Sequence, residues 1–130
     1  MKENKILVVD DDIAYLSELQ EVLVSSGYDA EVSSDSSFVV KMADRIKPDL
    51  ILLDLKMYGK SGFQVANDLK HFPGTANIPI VAMTGYFTEK MHRTFMHRMG
   101  IKDCIIKPFN PQDIIIKIER NIEKTEECSL

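Results

Sequence analysis

The sequence predicts an α/β protein built as an open parallel sheet with helices on both faces. Three observations carry this. Short apolar runs bounded by breakers recur along the chain, as strands buried on both faces require. The longer stretches between them place apolar residues at helical spacing. Five strand-like runs alternate with five helix-like ones, the pattern of a parallel sheet with crossover helices.

The first strand is Ile6–Val9, and three acids follow it, Asp10, Asp11 and Asp12. Ile13, Leu16, Leu19 and Leu23 share one helical face, which Gly27 stops. The second strand, Tyr28–Val32, is weaker. Tyr28, Ala30 and Val32 alternate with acids, which suits a half-exposed edge. Phe38, Met42 and Ile46 form the stripe of the second helix, with Pro48 after it. The third strand, Leu50–Leu53, runs into Asp54, and Phe63, Ala66 and Leu69 mark a third helix that ends near Pro73-Gly74.

The fourth strand, Ile78–Met83, is followed by Thr84. Met91, Phe95 and Met99 form the next stripe, closed by Gly100. The fifth strand is Cys104–Ile106, then Lys107-Pro108. Asn110-Pro111 opens the last helix with a capping residue and a proline at the first helical position. Its stripe is Ile114, Ile115, Ile118 and Ile122. The charged tail from Glu123 is expected to fray, so one domain is set at residues 1–124, with a short tail at 125–130.

Composition narrows the function. The 130 residues suffice for one core. A net charge of −4 and a pI near 5.3 argue against broad nucleic-acid or anionic-membrane binding, which needs a basic face. No apolar run approaches a membrane span, and the N-terminal run ends in acids, unlike a signal peptide. Cys104 and Cys128 match no zinc or CxxC spacing. They are read as reduced thiols in a cytoplasmic protein.

In an open α/β sheet, ligands bind beyond the carboxyl ends of the strands. Four polar positions fall there: Asp10–Asp12, Asp54, Thr84 and Lys107. No Gly-rich loop follows the first strand, which excludes a dinucleotide or P-loop site. Clustered carboxylates repel unless a cation joins them. Mg²⁺ takes oxygen ligands and keeps some of its waters, so a few carboxylates are enough. A carboxylate can also act as a nucleophile toward phosphorus, and phosphoryl transfer needs positive charge and hydrogen bonds around the moving group. Lys107 and Thr84 offer these. Taken singly, each position has an ordinary reading: a helix cap for the acids, a turn at Asp54, a strand exit at Thr84-Gly85, a solvated Lys107. Their coincidence at one end of the sheet is what points to a site.

With these residues in place, the chain resembles the receiver domains of two-component response regulators. ILVVDDD at Ile6–Asp12, LILLDLKM at Leu50–Met57 with Gly62 eight residues past Asp54, PIVAMTG at Pro79–Gly85 and IIKPF at Ile105–Phe109 carry the likeness, from Lys5 to about Ile122. The resemblance implies a flavodoxin-like (βα)5 fold of strand order 2-1-3-4-5 and a cis bond between Lys107 and Pro108. It implies that Asp54 accepts the phosphoryl group from a histidine kinase. Mg²⁺ would be held by Asp10, Asp11, Asp54 and the carbonyl of Lys56, and Thr84 and Lys107 would contact the phosphoryl group. Asp12 would start the first helix. It implies signalling to a protein partner through the fourth helix, fifth strand and fifth helix, where Lys90, His92, Arg93, His97 and Arg98 lie. The chain is read as assisting its own modification without enzymatic turnover, and its charge and apolar pattern lead one to expect no direct nucleic-acid binding and no membrane association. No output domain follows, so a stand-alone regulator and a piece of a longer hybrid both stay open.

Three positions depart from the receiver pattern. Cys104 stands where a switch aromatic is usual, either as a small packed thiol or as a redox sensor. Tyr58 stands where proline is frequent. Lys56 and Tyr86, two residues past Asp54 and Thr84, are placed to slow hydrolysis of an aspartyl-phosphate. Two rivals follow. One is a phosphorylation-independent pseudo-receiver. The other is an aspartyl-phosphate phosphohydrolase, which wants an acid where Lys56 stands.

Overall fold

The computed structural model describes residues 4–85 and 93–128. Strands β1 (Lys5–Val9), β2 (Asp29–Ser33), β3 (Leu50–Asp54), β4 (Ile80–Thr84) and β5 (Ile101–Ile106) form one parallel sheet in the order β2-β1-β3-β4-β5. Helices α1 (Ile13–Ser25), α2 (Val39–Ile46), α3 (Gly62–His71) and α4 (Arg93–Arg98) fill the crossovers and α5 (Pro111–Cys128) follows the last strand, with a short 3-10 turn at Ser36–Phe38.

Strand side chains alternate between two cores, as the two-residue period demands. Ile6, Val8, Leu50, Leu52, Val81 and Met83 face α1 and α5. Leu7, Val9, Ile51, Leu53, Ile80 and Ala82 face α2, α3 and α4. This double burial explains why the three central strands read as unbroken apolar runs.

The local signals act as the sequence led one to expect. Asp12 caps α1 by accepting from the amide of Tyr15 at 3.1 Å, which leaves Asp10 and Asp11 to the site. Gly27 follows α1 with a φ of +95°, a conformation glycine adopts without strain. Asn110 caps α5 through the amide of Asp113. The Lys107-Pro108 bond is cis.

Several expectations about the core are corrected. Ile13 is 72% exposed, because α1 begins there, beyond the edge of the sheet. Phe38 lies in the 3-10 turn and is exposed; Val39 and Ala43 line the buried side of α2. Phe95 is also exposed on one side, packing edge-on against Phe63 with centroids 5.4 Å apart, and Met96 is the buried residue of α4. Met91, Lys90, His92 and Tyr86 lie outside the described residues. Strand β5 begins at Ile101, ahead of the expected Cys104. As an edge strand it tolerates Lys102 and Asp103, which interrupt its apolar pattern. Helix α5 continues to Cys128, past the end of its apolar stripe at Ile122.

Candidate functional site

Parallel strands bring their carboxyl ends to one edge, and β1 and β3 are neighbours with Val9 opposite Leu53. Asp10 and Asp54 therefore emerge side by side. Both are nearly buried, at 1% and 6% exposure. Asp11 is half-buried beside them. One carboxylate oxygen from each of Asp10, Asp11 and Asp54 lies within 4.8 Å of the others.

Each acid is held by the backbone around it. The amide of Asp12 donates to Asp10 Oδ1 at 3.0 Å. The amide of Lys56 donates to Asp54 Oδ1 at 3.3 Å, and that of Tyr58 to Asp11 Oδ2 at 3.1 Å. The loop after β3 thus folds back over the acids with residue 56 beside Asp54. Gly62 lets it do so. Its amide donates to the Leu55 carbonyl at 3.1 Å, and a Cβ there would collide with the Asp54 carbonyl and the Leu55 Cα. The spacing of eight residues between Asp54 and Gly62 has this physical cause.

Lys107 arrives from the end of β5, where its amide donates to the Thr84 carbonyl at 2.7 Å. Its Nζ donates to Asp10 Oδ2 at 2.6 Å and stands 3.7 Å from Asp54 Oδ1. Thr84 ends β4, the strand beside β3, and is buried. The ammonium also sits 4.4 Å from the centre of the Tyr15 ring, a cation–π contact that a desolvated lysine favours. Phe109 meets the same ring edge-on at 6.1 Å. Tyr15 was not singled out by the sequence reading; its helical spacing alone makes it one more apolar position.

The electrostatics are those of crowded carboxylates that share one ammonium group. Burial pushes the Asp54 carboxyl up to about 6, and Asp10 and Asp11 add to the rise, while Lys107 and the Lys56 amide oppose it. Burial, with Asp10, Asp54 and Glu18 adding to it, pushes the Tyr15 phenol well above its ordinary value. One lysine against three carboxylates leaves a surplus of negative charge. An all-oxygen donor set with that surplus fits a hard divalent cation such as Mg²⁺. The structure gathers Asp10, Asp11, Asp54, Lys56, Thr84 and Lys107 at one end of the sheet.

Cys104 lies apart from this cluster, half-buried against the core that α2, α3 and α4 share with the sheet. Burial and the adjacent Asp103 push its thiol up, which lowers the thiolate fraction that reactivity requires.

Comparison with known proteins agrees with this fold. A family model described as the response regulator receiver domain matches residues 6–119. The DNA-binding response regulator MtrA of Mycolicibacterium smegmatis is 32% identical over 123 residues, 95% of this chain and 52% of that protein. The alkaline phosphatase synthesis transcriptional regulatory protein PhoP of Bacillus subtilis is 32% identical over 122 residues, 94% of this chain and 50% of its own. The chain thus spans about half the length of these relatives. Among solved structures, a CheY-like response regulator receiver domain protein from Methanospirillum hungatei superposes with a TM-score of 0.88 at 25% identity, covering 97% of this chain and 98% of that one.

Proposed function

This chain belongs to the response regulator receiver domain family of two-component signalling, and from that premise we propose that Asp54 accepts a phosphoryl group from the phosphohistidine of a histidine kinase. The observation that carries the proposal is the gathering of three carboxylate oxygens within 4.8 Å, with Lys107 reaching both Asp10 and Asp54.

An oxygen of Asp54 attacks phosphorus in line. The new P–O bond forms as the P–N bond to the donor imidazole breaks, and the nitrogen leaves with the electron pair. Asp10, Asp11, Asp54 and the Lys56 carbonyl are the residues that would hold Mg²⁺, which when bound offsets charge on the phosphoryl oxygens. Lys107 is poised to exchange part of its contact with Asp10 for one to the incoming phosphoryl group. The Thr84 hydroxyl, one strand away, adds a hydrogen bond to the same group. The loop from Lys56 to Gly62 keeps Asp54 seated while this happens. Afterwards the added charge favours a second conformation. A shift from 1:99 to 99:1 requires about 5.5 kcal/mol of differential stabilisation, part of which the new contacts of Thr84 and Lys107 supply.

In this reading the chain assists its own modification without turning over a substrate. The phosphohydrolase alternative is disfavoured, since the Lys56 side chain is exposed where a general acid would be needed. The complete set of acids with Lys107 disfavours the pseudo-receiver. We further propose residues 1–124 as the receiver unit with a short tail at 125–130, a cytoplasmic setting, and signalling by protein contact through α4, β5 and α5 rather than by direct contact with nucleic acid. Among the described residues no helix is long and apolar enough to cross a membrane.

The test is incubation with acetyl phosphate, with and without Mg²⁺, read by intact mass. A Mg²⁺-dependent gain of one phosphoryl group, lost in Asp54→Asn, is expected. No gain in a folded protein would overturn the proposal.

A further inference from the structure

We propose that the backbone amide of Tyr58 is a positioning group for the cation site, holding the Asp11 carboxylate in place through Oδ2. The inference deepens the metal reading above and rests on it.

Asp11 is the acid that needs such a hold. Asp10 and Asp54 are fixed by burial and by Lys107. Asp11 is only half-buried, and a side chain that must be ordered as a ligand binds costs affinity in lost rotamer freedom. A donor 3.1 Å from Oδ2 orders it beforehand and leaves the second oxygen to a cation.

The donor exists because residue 58 is not proline. A proline here would carry no N–H. The Tyr58 side chain is 91% exposed, so packing of the ring does not account for the residue. The main chain that follows the amide is held in place. Ser36 Oγ lies 3.5 Å from the Tyr58 carbonyl, and Gly59 turns the chain with a φ of +76°. Residue 58 thereby bridges the end of β1 and the turn after β2, along the wall of a cleft of about 720 Å³ that Asp11, Ser36 and Tyr58 help to line.

Two substitutions separate amide from ring. Tyr58→Pro deletes the donor; Tyr58→Ala keeps it and deletes the ring. Calorimetric titration with Mg²⁺ is expected to show an affinity about three- to ten-fold weaker in Tyr58→Pro, the worth of one such hydrogen bond. Tyr58→Ala should stay within about two-fold of the parent. The amide proton resonance of residue 58 should move on Asp11→Asn and again during the Mg²⁺ titration, a signature that loop stiffness alone does not produce. Unchanged or tighter binding in Tyr58→Pro overturns the inference, as does an equal loss in Tyr58→Ala or an amide resonance indifferent to Asp11→Asn. Should Tyr58→Pro fail to fold, the resonance measurement decides alone. If the parent protein takes up no Mg²⁺ while the amide still answers to Asp11→Asn, the metal reading fails and this inference falls with it.

Discussion

Two aspartates of this protein each face a lysine, and they end in opposite states. On the flank of the sheet, Asp103 of β5 accepts from Lys117 Nζ at 2.9 Å, from Asn121 at 3.2 Å and from the Cys104 amide at 2.8 Å. Burial alone would raise its carboxyl, but these hydrogen bonds outweigh it and hold the group below the usual carboxylate range. At the carboxyl end of the sheet, Asp54 stands 3.7 Å from a lysine whose closer partner is Asp10. Burial and its acidic neighbours raise it. The first acid is satisfied and ties α5 to its strand. The second keeps a raised carboxyl, the state expected of a group poised for the proposed chemistry. The presence of a lysine therefore says little; the number of donors aimed at the acid separates a carboxyl held low from one pushed high.

The seat of Asp54 can be broken without touching a charge. Gly62→Ala drives a Cβ into the backbone of Asp54 and Leu55, which cannot yield as a side chain would. A loss of about 3 kcal/mol in denaturant unfolding is expected, in the range of severe overpacking. Gly85→Ala, with open space around its Cβ, should stay within about 0.5 kcal/mol of the parent. Equal losses at the two glycines would mean that the close approach is not what holds the loop.

Next in size comes removal of the two lysines. Lys107→Ala leaves Asp10 almost wholly buried beside Asp54 with no cation. A loss of about 2–3 kcal/mol follows in metal-free buffer, as for one partner taken from a buried pair, and Mg²⁺ should restore part of it. Lys117→Ala leaves Asp103 its Asn121 and amide donors, so about 1 kcal/mol is expected, insensitive to Mg²⁺. Equal, metal-independent losses at both sites would erase the distinction drawn between the acids.

Acidity sharpens the contrast by sign. The Asp54 carboxyl is raised, so its stabilisation of the fold is complete below its ordinary value of 3.8 and is lost as pH climbs through about 6. The Asp103 carboxyl is lowered, so its stabilisation is present above the ordinary value and is lost as pH falls through the lowered one. At pH 7.5 without metal, Asp54→Asn should stabilise the protein by about 1–2 kcal/mol, and Asp103→Asn should destabilise it by about 1 kcal/mol. Unfolding curves from about pH 2 to 8 test both, and the same sign for both substitutions would refute the comparison.

The sequence made one of these acids visible and hid the other. Asp54 stands where an apolar run stops, at the end of the sheet where ligands bind, so its local context marks it. Asp103 sits inside a strand and is completed by Lys117 and Asn121 from α5, partners that only the folded chain brings near. The same distinction runs through the fold. Central strands, caps at Asp12 and Asn110, and the stop at Gly27 are local and were legible. The first half of β5 was not, because an edge strand accepts polar residues. Exposure at Ile13 and Phe38, and burial of Met96 in place of Phe95, depend on where each helix meets the sheet, which spacing alone does not fix. The hold of Tyr58 on Asp11 was hidden for a further reason: a backbone amide is present at every residue but proline, so no side chain announces it.

Cys104 gives the smallest expected effect. It follows Asp103 in the chain and pairs with Ala82 of β4, on the side of the sheet where α4 packs. Its raised thiol is a poor nucleophile at neutral pH. In a Cys128→Ser background, labelling by a thiol reagent at pH 7.5 should be far slower in the folded protein than in denaturant. Cys104→Ala should cost about 0.5–1 kcal/mol, the loss of a small packed group. Cys104 offers no ring to turn inward, so under the proposed phosphorylation a response would run through other side chains of this core, among which Met96 is the buried one from α4. Rapid native labelling of Cys104 that slows on phosphorylation would reverse this view, since it would make the thiol itself the part that moves.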